Sequence, residues 1–225
     1  MASTPLRELL DEAVLASSRF QQAITHRSAG GRHNERLEFL GDSVLGMVIS
    51  AYLHENCPDC DEGGLSRLRA SLVKKESLAE LGRDLALGDW LKLGAGELKS
   101  GGFRRDSTLA DALEAIIGAV FLERGFAEAR DFVLALYRER LASLPSVDDL
   151  KDPKTRLQEF LQGREQELPS YEVIDVRGKP HNQKFTARCL IPALDIVTEG
   201  EGSSRRKAEQ AAATEALHLL QEKKS

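Results

Sequence analysis

The sequence predicts a multidomain chain: an all-α domain over residues 1–144 and a smaller α+β domain of order α-β-β-β-α over residues 153–225, joined by a linker at 145–152. Three observations predict it. Apolar residues recur at helical spacing through the first part. After Pro153 the period changes and strand-like segments appear. Between the two, the stretch from Pro145 to Asp152 is polar, flanked by prolines and without periodicity.

In the first part, Leu6–Ser17, Glu35–Leu53, Ser66–Leu85, Thr108–Gly125 and Ala127–Leu144 have the apolar spacing of helices. Gly30-Gly31, Gly63-Gly64, Gly94 to Gly96 and Gly101-Gly102 supply the expected breaks. In the second part, Thr155–Gln162 reads as a short amphipathic helix. Strands are expected within Tyr171–Arg177, Lys184–Ile191 and Asp195–Glu201, and an Ala-rich helix over Arg205–Glu222. Three strands backed by two helices hold enough core to fold independently.

Two acidic patterns lie about seventy residues apart on long apolar helices. At about 100° per residue, Glu35, Glu38 and Asp42 fall in one stripe, opposite Leu37, Leu40, Val44 and Val48. Asp111 and Glu114, spaced i and i+3, face away from Ile116, Ile117 and Val120. If the two apolar faces share a core, the acid stripes meet at its rim. Clustered carboxylates repel and need cations or protons, and an all-oxygen cluster suits Mg²⁺ or Mn²⁺. Gly46 and Gly118 continue the acidic faces, where a missing side chain would leave room for a bulky substrate. The competing reading is that charged helix faces are ordinarily solvated.

The 225 residues are 41% hydrophobic, enough for real cores. Cys57, Cys60 and Cys189 cannot build a disulfide framework, and no charged leader with an apolar segment opens the sequence, so a cytoplasmic location is expected. Val44–Leu53, the longest largely apolar stretch, is too short to span a bilayer. Cys57-Pro58-Asp59-Cys60 is a C-x-x-C without a second ligand pair for zinc. The net charge of −5 is uneven: residues 1–150 carry −6 and residues 151–225 carry +1. Phosphate chemistry in the acidic part therefore requires metal.

Arg205, Arg206 and Lys207 stand at the start of the last predicted helix, after a cap at Ser203 or Ser204, where the helix dipole disfavours cations. Free N–H groups with three cations make an anion site, phosphate being the obvious anion.

Asn34-Glu35-Arg36-Leu37-Glu38-Phe39-Leu40-Gly41-Asp42-Ser43, the segment Asp111-Ala112-Leu113-Glu114-Ala115, the lead-in His26-Arg27-Ser28 and the turn Asp61-Glu62-Gly63 together resemble bacterial ribonuclease III. Residues 153–222 resemble the double-stranded RNA-binding domain that follows in that family. The resemblance implies a homodimeric, metal-dependent endonuclease that cuts double-stranded RNA, leaving staggered 5′-phosphate and 3′-hydroxyl ends, in the processing of rRNA, mRNA and tRNA. It implies a metal site of Glu38, Asp42, Asp111 and Glu114, with Asp42 and Glu114 most critical, Glu114 a direct ligand, and Glu35 and Glu62 in support. Phe39, near the acid stripe and away from the apolar face, is expected to be exposed in a monomer and to act as the knob of a two-fold interface. For RNA, the resemblance places Gln158 and Glu159 on one minor groove, the Gly178–Asn182 loop with His181 on the next, and Arg205, Arg206 and Lys207 on the phosphates between.

Two other readings compete. A duplex-RNA regulator that does not cut would be expected to lack Asp42 or Glu114, and both are present. A hydrolase of small nucleotides would leave residues 153–222 without a task.

Overall fold

The structure, a computed structural model, describes residues 6–179 and 182–222. The chain divides between Pro145 and Ser146 into two compact units.

The first unit is helical. Its helices are α1 (Leu6–Leu9), α2 (Glu12–Ala16), α3 (Ser18–Ala23), α4 (Glu35–Asn56), α5 (Glu62–Val73), α6 (Lys75–Asp84), α7 (Ala95–Lys99), α8 (Asp106–Arg124), α9 (Phe126–Leu136) and α10 (Arg138–Ala142). Side-chain caps set several starts. Asp11 Oδ1 accepts from Val14 N at 2.8 Å, Ser17 Oγ from Phe20 N at 3.1 Å and Asp61 Oδ1 from Gly64 N at 2.6 Å.

The core is organised around α4 and α8, which pack on each other, with α3, α6 and α9 against α8. Leu45, Val48, Ile49 and Leu53 of α4 and Leu109, Leu113, Ile116 and Ile117 of α8 are buried. The two helices cross with backbone on backbone. A Cβ on Gly41 would stand 1.7 Å from the Glu114 carbonyl oxygen, and one on Gly118 would stand 2.4 Å from that of Leu37. The place of Gly118 on the acidic face predicts open space for a substrate, but α4 occupies that space. Gly46 has nothing within 4 Å of such a Cβ.

Three predicted helices are each two. Residues 6–17 break at Leu10, after which Asp11 caps α2. Residues 66–85 break at Lys74, whose extended backbone (φ −64°, ψ 151°) separates α5 from α6. Apolar spacing continues across Lys74, so periodicity passes over the bend. Residues 127–144 divide at Tyr137, which is buried and donates its hydroxyl to the Leu72 carbonyl at 3.2 Å. Gly63 and Gly64, expected as a break, lie inside α5 because Asp61 starts the helix before them.

The second unit contains α11 (Pro153–Gln162), β1 (Ser170–Arg177), β2 (Lys184–Ile191), β3 (Ile196–Gly202) and α12 (Arg205–Glu222). The sheet is antiparallel in the order β1-β2-β3, with an irregularity between Val173 and Asp175. Leu157 and Leu161 of α11, Cys189 and Ile191 of β2, Ile196 of β3 and Ala212, Ala213 and Ala216 of α12 form its core. Alanines bring α12 onto β3: a Cβ on Gly200 would stand 2.1 Å from Ala212 N. Among the described residues no helix is long and apolar enough to cross a membrane.

Candidate metal centre and nucleic-acid interface

The close crossing of α4 and α8 fixes where their acids meet. Glu38, Asp111 and Glu114 each present a carboxylate oxygen within 4.8 Å of the others, all half-buried. Burial, then the charges of Asp111 and Glu35, raise the Glu38 carboxyl above the usual range. Burial also raises Asp111, against the pull of Lys75, His26 and Arg27. Glu114 is pushed up to about 8 by burial and by the charges of Asp42, Glu38 and Asp111. Three hard oxygen donors that resist ionising together match the demand of a divalent cation, so the residues fit such an ion.

The other acidic candidates lie outside that trio. Asp42 is exposed on α4, near enough for its charge to act on Glu114. Glu35 is exposed and meets Arg27 at 3.4 Å and His33 at 3.7 Å. Glu62, the first residue of α5, is exposed and accepts from Ser66 Oγ at 2.9 Å. Of the four residues expected to hold metal, three converge and Asp42 stands beside them.

Next to the trio an open cleft of about 660 Å³ is lined by His26, Arg27, Ser28, Glu35, Glu97 and Arg105, with Glu38 and Asp111 at its wall. Ser28 ties this wall together: its Oγ accepts from Gly94 N at 2.9 Å and lies 2.8 Å from His26 Nδ1. Glu97 pairs with Arg105, the residue before α8.

Lys75 escaped the sequence reading. It begins α6, and its charge acts on Glu38, Asp111 and Glu114 alike. A second lysine after Lys74 carries no spacing signal; only the bend at Lys74 and the packing of α6 on α8 bring it to the carboxylates.

Phe39 is 79% exposed, and Met47, about two turns on, is 61% exposed. On the helix wheel they share a broad face with Ser43 between them.

In the second unit, Ser204 caps α12: its Oγ accepts from Lys207 N at 3.3 Å. Arg206 and Lys207 are exposed. Arg205 is committed within the unit, its Nε donating to Glu209 Oε1 at 2.8 Å. Lys154 donates to the other oxygen of Glu209 at 2.6 Å. Against the burial that would raise it, these two cations hold the Glu209 carboxyl below the usual range. Gln158 and Glu159 are exposed on α11, Glu159 accepting from Lys151 Nζ at 2.6 Å. His181 lies outside the described residues.

A helical unit with three converging carboxylates, followed by an α-β-β-β-α unit with cations at a helix start, is an arrangement suited to metal-dependent chemistry on a polyanion. The Ribonuclease-III-like family model matches residues 17–141, and the double-stranded RNA binding motif matches residues 153–220. The ribonuclease 3 of Vibrio cholerae is 58% identical over 198 residues, 88% of each chain. That of Proteus mirabilis is 56% identical over 200 residues, 89% of this chain and 88% of the other. Two structures of the nuclease domain of ribonuclease III from Campylobacter jejuni are also similar. One is 40% identical with a TM-score of 0.55, covering 59% of this chain and 96% of that one. The other is 38% identical with a TM-score of 0.56, covering 63% and 100%. The chain belongs to the ribonuclease III family.

Proposed function

We propose that this chain is a metal-dependent endoribonuclease that hydrolyses phosphodiesters in double-stranded RNA, with Glu38, Asp111 and Glu114 holding the metal. The observation that carries the site is the convergence of three half-buried carboxylate oxygens at the α4–α8 crossing. Family membership and the RNA-binding motif at 153–220 carry the substrate class. The donor set favours Mg²⁺, with Mn²⁺ able to replace it. When bound, the metal activates water and offsets charge on the phosphate and the leaving oxygen.

The chain's own groups do the positioning. Glu114, caught between burial and three acidic neighbours, is the carboxylate whose charge depends most on a cation. Asp42, exposed beside it, orients the attacking water. Lys75 offsets part of the negative charge of the trio. Cleavage of the bond to the 3′ oxygen leaves 5′-phosphate and 3′-hydroxyl ends.

Phe39 and Met47 form the knob of a two-fold homodimer. One of the Campylobacter jejuni structures is described in terms of a region involved in dimer formation of its nuclease domain. Two centres related by a two-fold axis cut one strand each and leave staggered ends.

Shape governs recognition of the duplex. Arg206 and Lys207, exposed at the start of α12, hold phosphates across the major groove. Gln158 and Glu159 face a minor groove, where Glu159 accepts from a 2′-hydroxyl. Arg205 supports α12 through Glu209 more than it holds phosphate. The substrates are rRNA and other transcripts, and the compartment is the cytoplasm.

The test is cleavage of an end-labelled RNA duplex beside the matching single strand, with Mg²⁺ and with EDTA. Metal-dependent cutting of the duplex alone is expected. Binding without cutting, by folded dimer, would favour the regulator.

A further inference from the structure

The turn that joins α4 to α5 carries a chemistry that RNA cleavage does not use. Cys57 follows the last residue of α4, and Cys60 stands two residues before α5. Both are free and half-buried. Cys60 N–H donates to the Cys57 carbonyl at 3.1 Å, which closes a four-residue turn over Pro58 and Asp59. Such a turn holds its end Cα atoms within about 7 Å, and a disulfide spans about 4.4–6.8 Å between Cα atoms. Pro58 fixes its own φ, so the turn is held in shape before any bond forms. The two thiols are close enough for Cys60 to act on Cys57.

Among the described residues no third His, Cys, Asp or Glu converges on these sulfurs, so the pair lacks the ligands of a closed zinc site. Two adjacent thiols on a partly exposed turn, without a metal shell, are the arrangement of a dithiol that closes on itself.

We propose that Cys57 and Cys60 form a reversible disulfide modification site, oxidised by a low-molecular-weight disulfide such as glutathione disulfide. The Cys60 thiolate attacks one sulfur of glutathione disulfide, forming a mixed disulfide and releasing one glutathione thiolate. Cys57 then gives its proton to solvent and attacks the Cys60 sulfur, forming the Cys57–Cys60 bond and releasing the second glutathione. Two protein thiols are oxidised and one disulfide is reduced to two thiols. Burial and the neighbouring Cys60 raise the Cys57 thiol, which suits Cys57 to the second step. In a reducing compartment such a bond is transient. It forms at the joint between the helix of Glu38 and Asp42 and the helix that begins at Glu62, and the inference does not depend on the ribonuclease reading.

The experiment uses the full chain, reduced and then exposed to excess glutathione disulfide, quenched in acid, alkylated and mapped by mass. The expected result is a peptide that holds both Cys57 and Cys60 and has lost two hydrogens, with Cys189, buried in the second unit, alkylated only after denaturation. Dithiothreitol restores both thiols. In Cys57→Ser the second step is blocked, so a glutathione adduct accumulates on Cys60. If Cys57 and Cys60 remain alkylatable thiols, or if the unsubstituted chain ends with stable glutathione adducts instead of the internal bond, the proposal is overturned.

Discussion

Gly41 lies against Glu114: a Cβ on the glycine would stand 1.7 Å from the Glu114 carbonyl oxygen. The helix that carries Glu38 and Asp42 is thus seated on the backbone of a residue of the proposed metal centre. The geometry of the carboxylate trio and the packing of the helices share one contact.

Gly41→Ala therefore strains the fold and the site together. The backbone atom it meets cannot rotate away, so α4 and α8 must separate. The expected cost is about 3 kcal/mol, a fall of roughly 10 °C in the melting temperature of the helical unit. Cleavage should fall further than the folded fraction explains, read as activity per folded molecule by circular dichroism and duplex assay. A variant with full stability and activity would show that the helices tolerate separation.

Much of this arrangement could be read from the residues before the fold was known. The apolar faces of α4 and α8 oblige them to pack, and their acid stripes follow to the rim. Gly118 is not legible in this way, because the wheel places it on the acidic face without revealing that the Leu37 carbonyl occupies its open side. Lys75 was illegible because its approach depends on the bend at Lys74, which apolar spacing does not record. Arg205 and Glu209 are four residues apart and readable as a pair. That Lys154, fifty-five residues earlier, completes the pairing is a fact of the fold.

That pairing separates three cations that are adjacent in sequence. Arg206→Ala with Lys207→Ala should weaken duplex binding and reduce the slope of log affinity against log salt by about 2. Arg205→Ala should change the slope less and instead cost stability, on the order of 1 kcal/mol, since Glu209 keeps Lys154 alone. Filter binding across a salt series and thermal melting check both. Equal slopes for the two variants would return Arg205 to the phosphate contacts.

The exposed face of α4 predicts an oligomeric state. Phe39→Asp places a charge at the centre of the proposed knob, where it must be desolvated on association. Light scattering at micromolar concentration should give a dimer for the unsubstituted chain and a monomer for the variant. An unchanged dimer removes Phe39 from the interface.

Glu114 also predicts how stability depends on pH without metal. Its carboxyl is raised to about 8 in the folded protein from an ordinary 4.5. Between those values the fold holds a proton that the unfolded chain has released. Its contribution is full below pH about 4.5 and is lost as pH rises towards 8. In EDTA, the melting temperature should fall across this range by a few degrees more than in Glu114→Gln. Parallel curves for the two proteins would show that the Glu114 proton is not coupled to folding.

The most direct test of the metal centre is Glu114→Gln assayed on one labelled RNA duplex for binding and for cleavage in Mg²⁺. A neutral amide of nearly the same shape removes the charge and spares the packing. Cleavage should fall about 100-fold or more while duplex affinity stays within about twofold. Cleavage at the unsubstituted rate would contradict the assignment of the reaction to the carboxylates at the α4–α8 crossing.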